Sequence, residues 1–270
     1  MVDETSNIEI PSKSFCTLPW IHLATHPIGT VTPCCITDMT DAVSTAAKKE
    51  DSNQHLFLSK DSLDEIANSD RFNKVRKTMM EGKFPEVCQK CYKYEEGGVF
   101  SKRNESNEKF ASFIDECFPN TNPDGSLKKV DYKYVELRLG TVCNLKCTTC
   151  NPFSSNRWHQ DLHAFKGTIF EKEYFRNDIK TEWYRDHTFY DELYLKCDRL
   201  QEVWINGGEP TLIREHGYFL EKFIECLQIC RNELFRSICV FRQLVMFGDE
   251  FLFVSIVGPK ACTRKSTTGK

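Results

Sequence analysis

The chain has no apolar run approaching the roughly 18 residues that a membrane-spanning helix needs. It has no surplus of charge: 36 Lys and Arg stand against 39 Asp and Glu, for a net charge of −3. That balance argues against a nucleic-acid or anionic-membrane surface. The first residues, Met1-Val2-Asp3-Glu4, contain neither a basic region nor an apolar stretch, so no secretory signal is expected. No internal repeat is found. These absences predict a soluble, cytoplasmic protein with no nucleic-acid and no membrane partner. A hydrophobic content of 40% and a charged content of 28% are enough to build a core. The length of 270 residues allows one large domain or two small ones.

Cysteine is abundant. Fourteen are present, and nothing marks the chain for an oxidising compartment. Clustered thiols in a reducing compartment serve metals or catalysis more often than disulfides. Cys16, Cys34, Cys35, Cys88, Cys91, Cys143, Cys147 and Cys150 form groups. Cys117, Cys197, Cys226, Cys230, Cys239 and Cys262 are scattered, as small buried hydrophobes would be.

The pattern of elements places these groups. Phe15 to Pro33 reads as strand, turn and strand, with His26-Pro27-Ile28-Gly29 as the turn, which brings Cys16 towards Cys34. Trp20 is expected to pack beneath this hairpin. Phe72, Val75 and Met79 predict a helix from Ser69 to Gly82. Cys88-Gln89-Lys90-Cys91 follows Pro85 and reads as a loop. Residues 101–129 are polar and contain Pro119, Pro123 and Gly125, so they read as a linker. Tyr134 to Leu139 alternates as a strand, with Val135, Leu137 and Leu139 on one face and Glu136 and Arg138 on the other. Ser154-Ser155 can cap a helix carrying Trp158, Leu162 and Phe165. A helical region over 171–197, a strand from Leu200 to Ile205 and a helix from His216 to Cys230 follow. This order predicts parallel βα units, with ligands at the carboxyl ends of the strands.

Cys143, Cys147 and Cys150 form a C-x3-C-x2-C run just after the first predicted strand of that series. Three close thiolates can hold a four-iron cluster and leave one iron open. Structural zinc more commonly uses paired C-x2-C elements or Cys/His pairs. Gly207-Gly208-Glu209-Pro210 ends the next strand. Glycine lets backbone approach a ligand, and Glu209 can add a charge-assisted bond to a cationic amine.

Cys143-Asn144-Leu145-Lys146-Cys147-Thr148-Thr149-Cys150 resembles the signature of the radical S-adenosylmethionine superfamily. The resemblance implies a [4Fe-4S] cluster that chelates S-adenosyl-L-methionine, cleaves it reductively and yields a radical that abstracts hydrogen from substrate. It also implies that Gly207, Gly208 and Glu209 bind the methionine amino group. Thr149 departs from the aromatic residue often found before the third cysteine. In the N-terminal part, Cys16, Gly29, Cys34, Cys88 and Cys91 resemble the twitch module, a short form of the SPASM auxiliary-cluster domain. The resemblance covers roughly residues 14–225. It implies an auxiliary cluster on Cys16, Cys34, Cys88 and Cys91, a peptide or protein substrate and an external electron donor. Cys34 is chosen over adjacent Cys35 from the glycine spacing. His22 and His26 are further candidate ligands, although packing suits them better. Zinc on the same four thiols is the competing reading, and it would make the protein a structural or interaction module without catalysis.

The expected fold is therefore α/β, a partial radical-SAM (β/α) barrel preceded by a small cysteine-rich twitch module. The module is expected over 14–100, a linker over 101–129, the start of the barrel over 130–230 and a divergent or disordered tail over 231–270. A partial (β/α)6 barrel normally needs roughly 200 residues after its first strand, and a full (β/α)8 barrel about 250 in all. Too few follow Cys150, so the C-terminal part of the barrel is expected to be missing and the chain to be truncated, with its activity in question. The apolar run over 235–257 can still supply one or two buried strands.

Overall fold

The structure is a computed structural model that describes residues 9–37, 46–49, 51, 54–152, 154–167, 182–222, 241–243 and 253–256. It is a mixed α/β fold. Its main sheet runs in the order β2-β1-β5-β6-β8-β7. The strands are β1 (His22–Thr25), β2 (Val31–Thr32), β5 (Tyr134–Arg138), β6 (Glu202–Asn206), β7 (Phe241–Gln243) and β8 (Phe253–Ile256). A second, two-stranded sheet pairs β3 (Lys48–Lys49) with β4 (Gln54–His55).

The centre of the main sheet is parallel. β1 pairs with β5, and β5 with β6, all running in one direction. β2 and β8 add antiparallel strands on either side. One face of the central strands is apolar. Leu23, Val135, Leu137, Val203 and Ile205 are all essentially inaccessible and belong to one core cluster. The register puts His22, Tyr134 and Glu202 side by side on the opposite face, with Glu136 beside Trp204 and Arg138 beside Asn206. His22, Tyr134, Glu136 and Glu202 on that face are buried, whereas Arg138, Trp204 and Asn206 are partly exposed.

The helices are α1 (Leu18–Ile21), α2 (Leu63–Ala67), α3 (Asp70–Met80), α4 (Gln89–Glu96), α5 (Lys102–Lys109), α6 (Ile114–Cys117) and α7 (His187–Leu195). α3 matches the sequence expectation: Phe72, Val75 and Met79 are buried, and Gly82 takes φ +70° just past its end. Ser155 caps the following helix as expected, accepting from Arg157 N at 3.3 Å, but Asn156–Phe165 winds as a 3-10 helix.

Three sequence expectations need correction. Leu18–Ile21 is a helical turn rather than part of a strand. Pro19 suits a first turn, and a segment buried on all sides has no periodicity to reveal its state. Cys88-Gln89-Lys90-Cys91 is not a loop: Glu86–Cys88 forms a 3-10 turn that runs into α4. Gln, Lys and Glu are good helix formers, and they outweigh the turn signal of Pro85.

The third correction concerns 101–129. The segment carries α5 and α6, and Phe110, Phe113, Ile114 and Cys117 join the common core. Trp20 packs against Phe15 and Phe118, and its indole donates to Thr121 Oγ1 at 2.7 Å. The polar composition of 101–129 belongs to short helices that bury polar residues such as Ser106 and Asn107 as well as exposing them, not to an unpacked chain.

Arg76 of α3 shows how firmly this segment is tied in. Its guanidinium is fully buried and donates to Gly125 O, Pro19 O, Ala67 O and Asn73 Oδ1 at 2.6–3.0 Å. Burial lowers its pKa to about 10, so it remains charged at neutral pH. Arg76→Met should cost on the order of 3 kcal/mol, because three carbonyls lose their partner in the interior. Denaturant titration should show a fall in midpoint with an unchanged slope.

The expected tail over 231–270 lies largely outside the described residues, and so does the part up to 181 of the helical region expected over 171–197, whose described part holds a 3-10 turn at Trp183–Arg185 and α7. Within that tail β7 and β8 form a described antiparallel pair, in keeping with the strands expected from 235–257. The predicted helix from His216 to Cys230 is described only as far as 222, where residues 214–222 are helical. Among the described residues no helix is long and apolar enough to cross a membrane.

Candidate metal centres

Two cysteine-bearing sites arise from these elements. The first is a cleft between α1, the segment after β2 and the start of α4. Cys16, Cys34, Cys88 and Cys91 all line it, together with Tyr92 and Arg103. Cys16 enters from the segment before α1, Cys34 from the end of the hairpin, and Cys88 and Cys91 from one turn of helix. The hairpin turns through Gly29, which takes φ +85°. A Cβ there would also lie 3.0 Å from the Trp183 ring, so glycine is needed for both conformation and space.

The thiols of this cleft interact electrostatically. Burial pushes the Cys16 thiol up, and the neighbouring Cys88 and Cys91 push it further. Burial and Cys91 raise Cys88 to about 12. Thiols that resist ionisation in each other's company become thiolates together only when a cation binds them. A four-cysteine donor set in one cleft fits an iron–sulfur cluster in that respect. Among the described residues no group of three or more His, Cys, Asp or Glu side chains converges as a site for a single metal ion. A cluster does not require such convergence, since each sulfur ligates a different iron.

Cys35 does not line this cleft. Its thiol is hydrogen-bonded with Cys34 and reaches Glu136, and these contacts and burial keep it protonated. The geometry thus separates the adjacent pair, with Cys34 in the cleft and Cys35 towards the sheet. His22 and His26 are also outside the cleft. His22 stacks on Tyr134 at 4.0 Å, and His26 Nε2 lies 3.1 Å from Thr32 Oγ1. Burial lowers both to about 3, so both are neutral.

The second site lies at the carboxyl ends of β5 and β6. Gly208 N donates to Gly140 O at 3.1 Å, and Glu209 N donates to Val142 O at 2.6 Å. These bonds set the Gly-Gly-Glu turn against the residues immediately preceding Cys143. A Cβ on Gly208 would sit 2.0 Å from Val142 O, and Gly207 takes φ +104°. The Glu209 carboxylate accepts from Thr211 N and Thr211 Oγ1 through one oxygen, Oε1.

The Cys143–Cys150 loop is held from outside. Asn156 Oδ1 accepts from Cys143 N at 3.1 Å, and Ser155 Oγ donates to Leu145 O at 2.9 Å. Lys146 pairs with Asp161 and lies over the Trp158 ring. Cys150 N donates to Cys147 O at 3.1 Å, closing a turn between the last two cysteines. All three cysteines are half-buried, and no disulfide joins any of the described cysteines. The donor chemistry of three partly exposed thiols on one loop is that of an iron–sulfur ligand set.

Residues 16–92 match the SPASM family, an iron–sulfur cluster-binding domain. The SPASM segment begins at Cys16 and ends at Tyr92, so it includes every cysteine of the first cleft. It agrees with the expectation of a twitch- or SPASM-type module in this part of the chain. No curated protein and no solved structure matches the chain.

Sequence reasoning missed the polar face of the sheet that faces Cys35. Glu136 Oε1 accepts from Arg138 Nε, Arg138 Nη2 and Asn206 Nδ2 at 2.8–3.2 Å, and Oε2 lies 4.0 Å from His22 Nε2. Burial would raise this carboxyl, but the charge and hydrogen bonds of Arg138 hold it below the usual range. The alternation in β5 put Glu136 and Arg138 on one face. It gave no sign that this face is covered. Arg103 of the SPASM cleft was missed for a related reason, because it sits in the segment read as a linker.

Proposed function

We propose that this chain is a radical S-adenosylmethionine enzyme with two iron–sulfur clusters. The observation that carries the reading is the backbone pairing of Gly208 and Glu209 with Gly140 and Val142, which sets a carboxylate-bearing turn beside the Cys143–Cys150 loop. Cys143, Cys147 and Cys150 would hold the [4Fe-4S] cluster. When bound, this group would pass one electron, drawn from an external donor, into the sulfonium C–S bond of S-adenosyl-L-methionine, and the radical released by that cleavage would take hydrogen from a substrate. Cys16, Cys34, Cys88 and Cys91 of the SPASM segment would hold the auxiliary cluster. The substrate class is a peptide or protein, and an external donor supplies the electron.

The chain's own residues prepare the cofactor's place. The bare backbone at Gly207 and Gly208 lets the turn pack closely against residues 138–142, which fixes Glu209 beside the cysteine loop. Glu209 keeps Oε1 on Thr211 and can offer its other oxygen to an ammonium group, a charge-assisted bond. Asn156 and Ser155 fix the cysteine loop before any ligand arrives, so binding does not have to order it.

Anaerobic reconstitution with iron and sulfide, followed by dithionite and S-adenosylmethionine, should yield 5′-deoxyadenosine. A fully loaded protein that yields none would overturn the proposal. Stoichiometric zinc without iron–sulfur absorbance would establish a zinc-binding interaction module instead.

A further inference from the structure

We propose that Arg103 and Asn107 of α5 are positioning residues of the auxiliary site, which fix the Cys16 segment and set a cation beside the four cysteines. The inference rests on the auxiliary cluster of the proposed function. It extends the site beyond the matched SPASM segment, which ends at residue 92.

Residues 12–17 lie outside any strand or helix, yet Cys16 within them is buried. Side chains from elsewhere hold this segment. Arg103 Nη1 donates to Lys13 O at 3.2 Å and Phe15 O at 3.0 Å. Asn107 Nδ2 also donates to Phe15 O at 3.0 Å, while Asn107 Oδ1 accepts from Thr17 N at 2.9 Å. The residues on both sides of Cys16 are therefore bonded to one side chain. Tyr92 Oη adds a bond to Ser14 O at 2.9 Å. Arg103 and Asn107 are four residues apart, so they share a face of α5. Partners of this kind orient metal ligands and tune the metal.

Arg103 has a second role that Asn107 lacks. Its guanidinium lines the cleft and lies over the Tyr92 ring at 5.6 Å. It is held by Glu95, which accepts from Nε at 2.9 Å and pairs with Nη2. A cluster on four thiolates is anionic, and one-electron reduction adds another negative charge. A nearby guanidinium stabilises the reduced form and raises the potential, whereas Glu95 partly offsets this.

The test uses the full chain with Cys143, Cys147 and Cys150 all changed to Ala, so that only the auxiliary site can load. Each variant is reconstituted anaerobically with iron and sulfide, assayed for both, and titrated redox-wise by electron paramagnetic resonance. Arg103→Gln should lower the midpoint enough to reduce the reduced-to-oxidised ratio about tenfold at a fixed potential, or about 59 mV for one electron. Arg103→Lys should restore most of that shift. Glu95→Gln should move the midpoint the other way. Asn107→Ala should lower iron occupancy several-fold while leaving the potential of the loaded fraction unchanged. Parent-like potential in Arg103→Gln and parent-like occupancy in Asn107→Ala would overturn the inference while leaving the proposed function intact. Failure of the background with intact Arg103 to load a cluster would overturn both.

Discussion

Cys147→Ala should remove roughly half of the iron that the chain takes up on anaerobic reconstitution and abolish 5′-deoxyadenosine formation. The two cysteine sites rest on different elements. Cys16, Cys34, Cys88 and Cys91 line the cleft formed around α1 and α4, whereas Cys147 stands on the loop after β5. Loss of one of three thiolates leaves a four-iron cluster with too few protein ligands to persist. Cys147 is half-buried, and it serves its own turn through its backbone oxygen, which accepts from Cys150 N. Alanine keeps that bond, so folding stability should change by no more than about 0.5 kcal/mol. Iron and sulfide assays with a thermal melt separate the possibilities. Undiminished iron in Cys147→Ala would show that the central run is not a cluster site.

Gly208→Ala should raise the Kd for S-adenosylmethionine at least about a hundredfold, which corresponds to about 2.7 kcal/mol. The new methyl would meet Val142 O at 2.0 Å and Val142 C at 2.6 Å. Both are backbone atoms and cannot rotate away as a flexible side chain could. The turn must therefore separate from residues 140–142, breaking the bonds that Gly208 N and Glu209 N donate. Overpacking of this kind costs about 1–3 kcal/mol in stability as well. Gly217→Ala is the matched control. It lies in the helix over 214–222, a Cβ there would meet nothing within 4 Å, and alanine should be neutral or slightly stabilising. Equilibrium binding to the reconstituted protein checks the expectation. Parent-like affinity in Gly208→Ala would mean that the glycine turn does not form the cofactor's site.

The sequence made some of this legible because certain signals are local. α3 showed itself through Phe72, Val75 and Met79, since one buried helix face leaves a 3.6-residue period. β5 and β6 showed themselves as short β-rich runs ending at a cysteine run and a glycine turn. The four cysteines of the SPASM cleft were named from spacing and resemblance, and the structure brings them to one cleft. Other features left no local trace. Leu18–Ile21 is apolar throughout, so its helical turn could not be distinguished from a strand. Lys102–Lys109 has no apolar residue. Its inward residues are the polar Ser106 and Asn107, which hydropathy reads as exposed.

From residues alone came the two cysteine groups, the glycine–glutamate turn and the α/β alternation, because donor chemistry, chain-breaking residues and periodicity are properties of neighbouring positions. Tertiary structure alone decided that β1 pairs in parallel with β5 and that α5 braces the Cys16 segment. Each of these depends on contacts between residues tens of positions apart. Their strength comes from excluding water and matching buried donors with acceptors, which no stretch of sequence can specify until the chain has closed on itself.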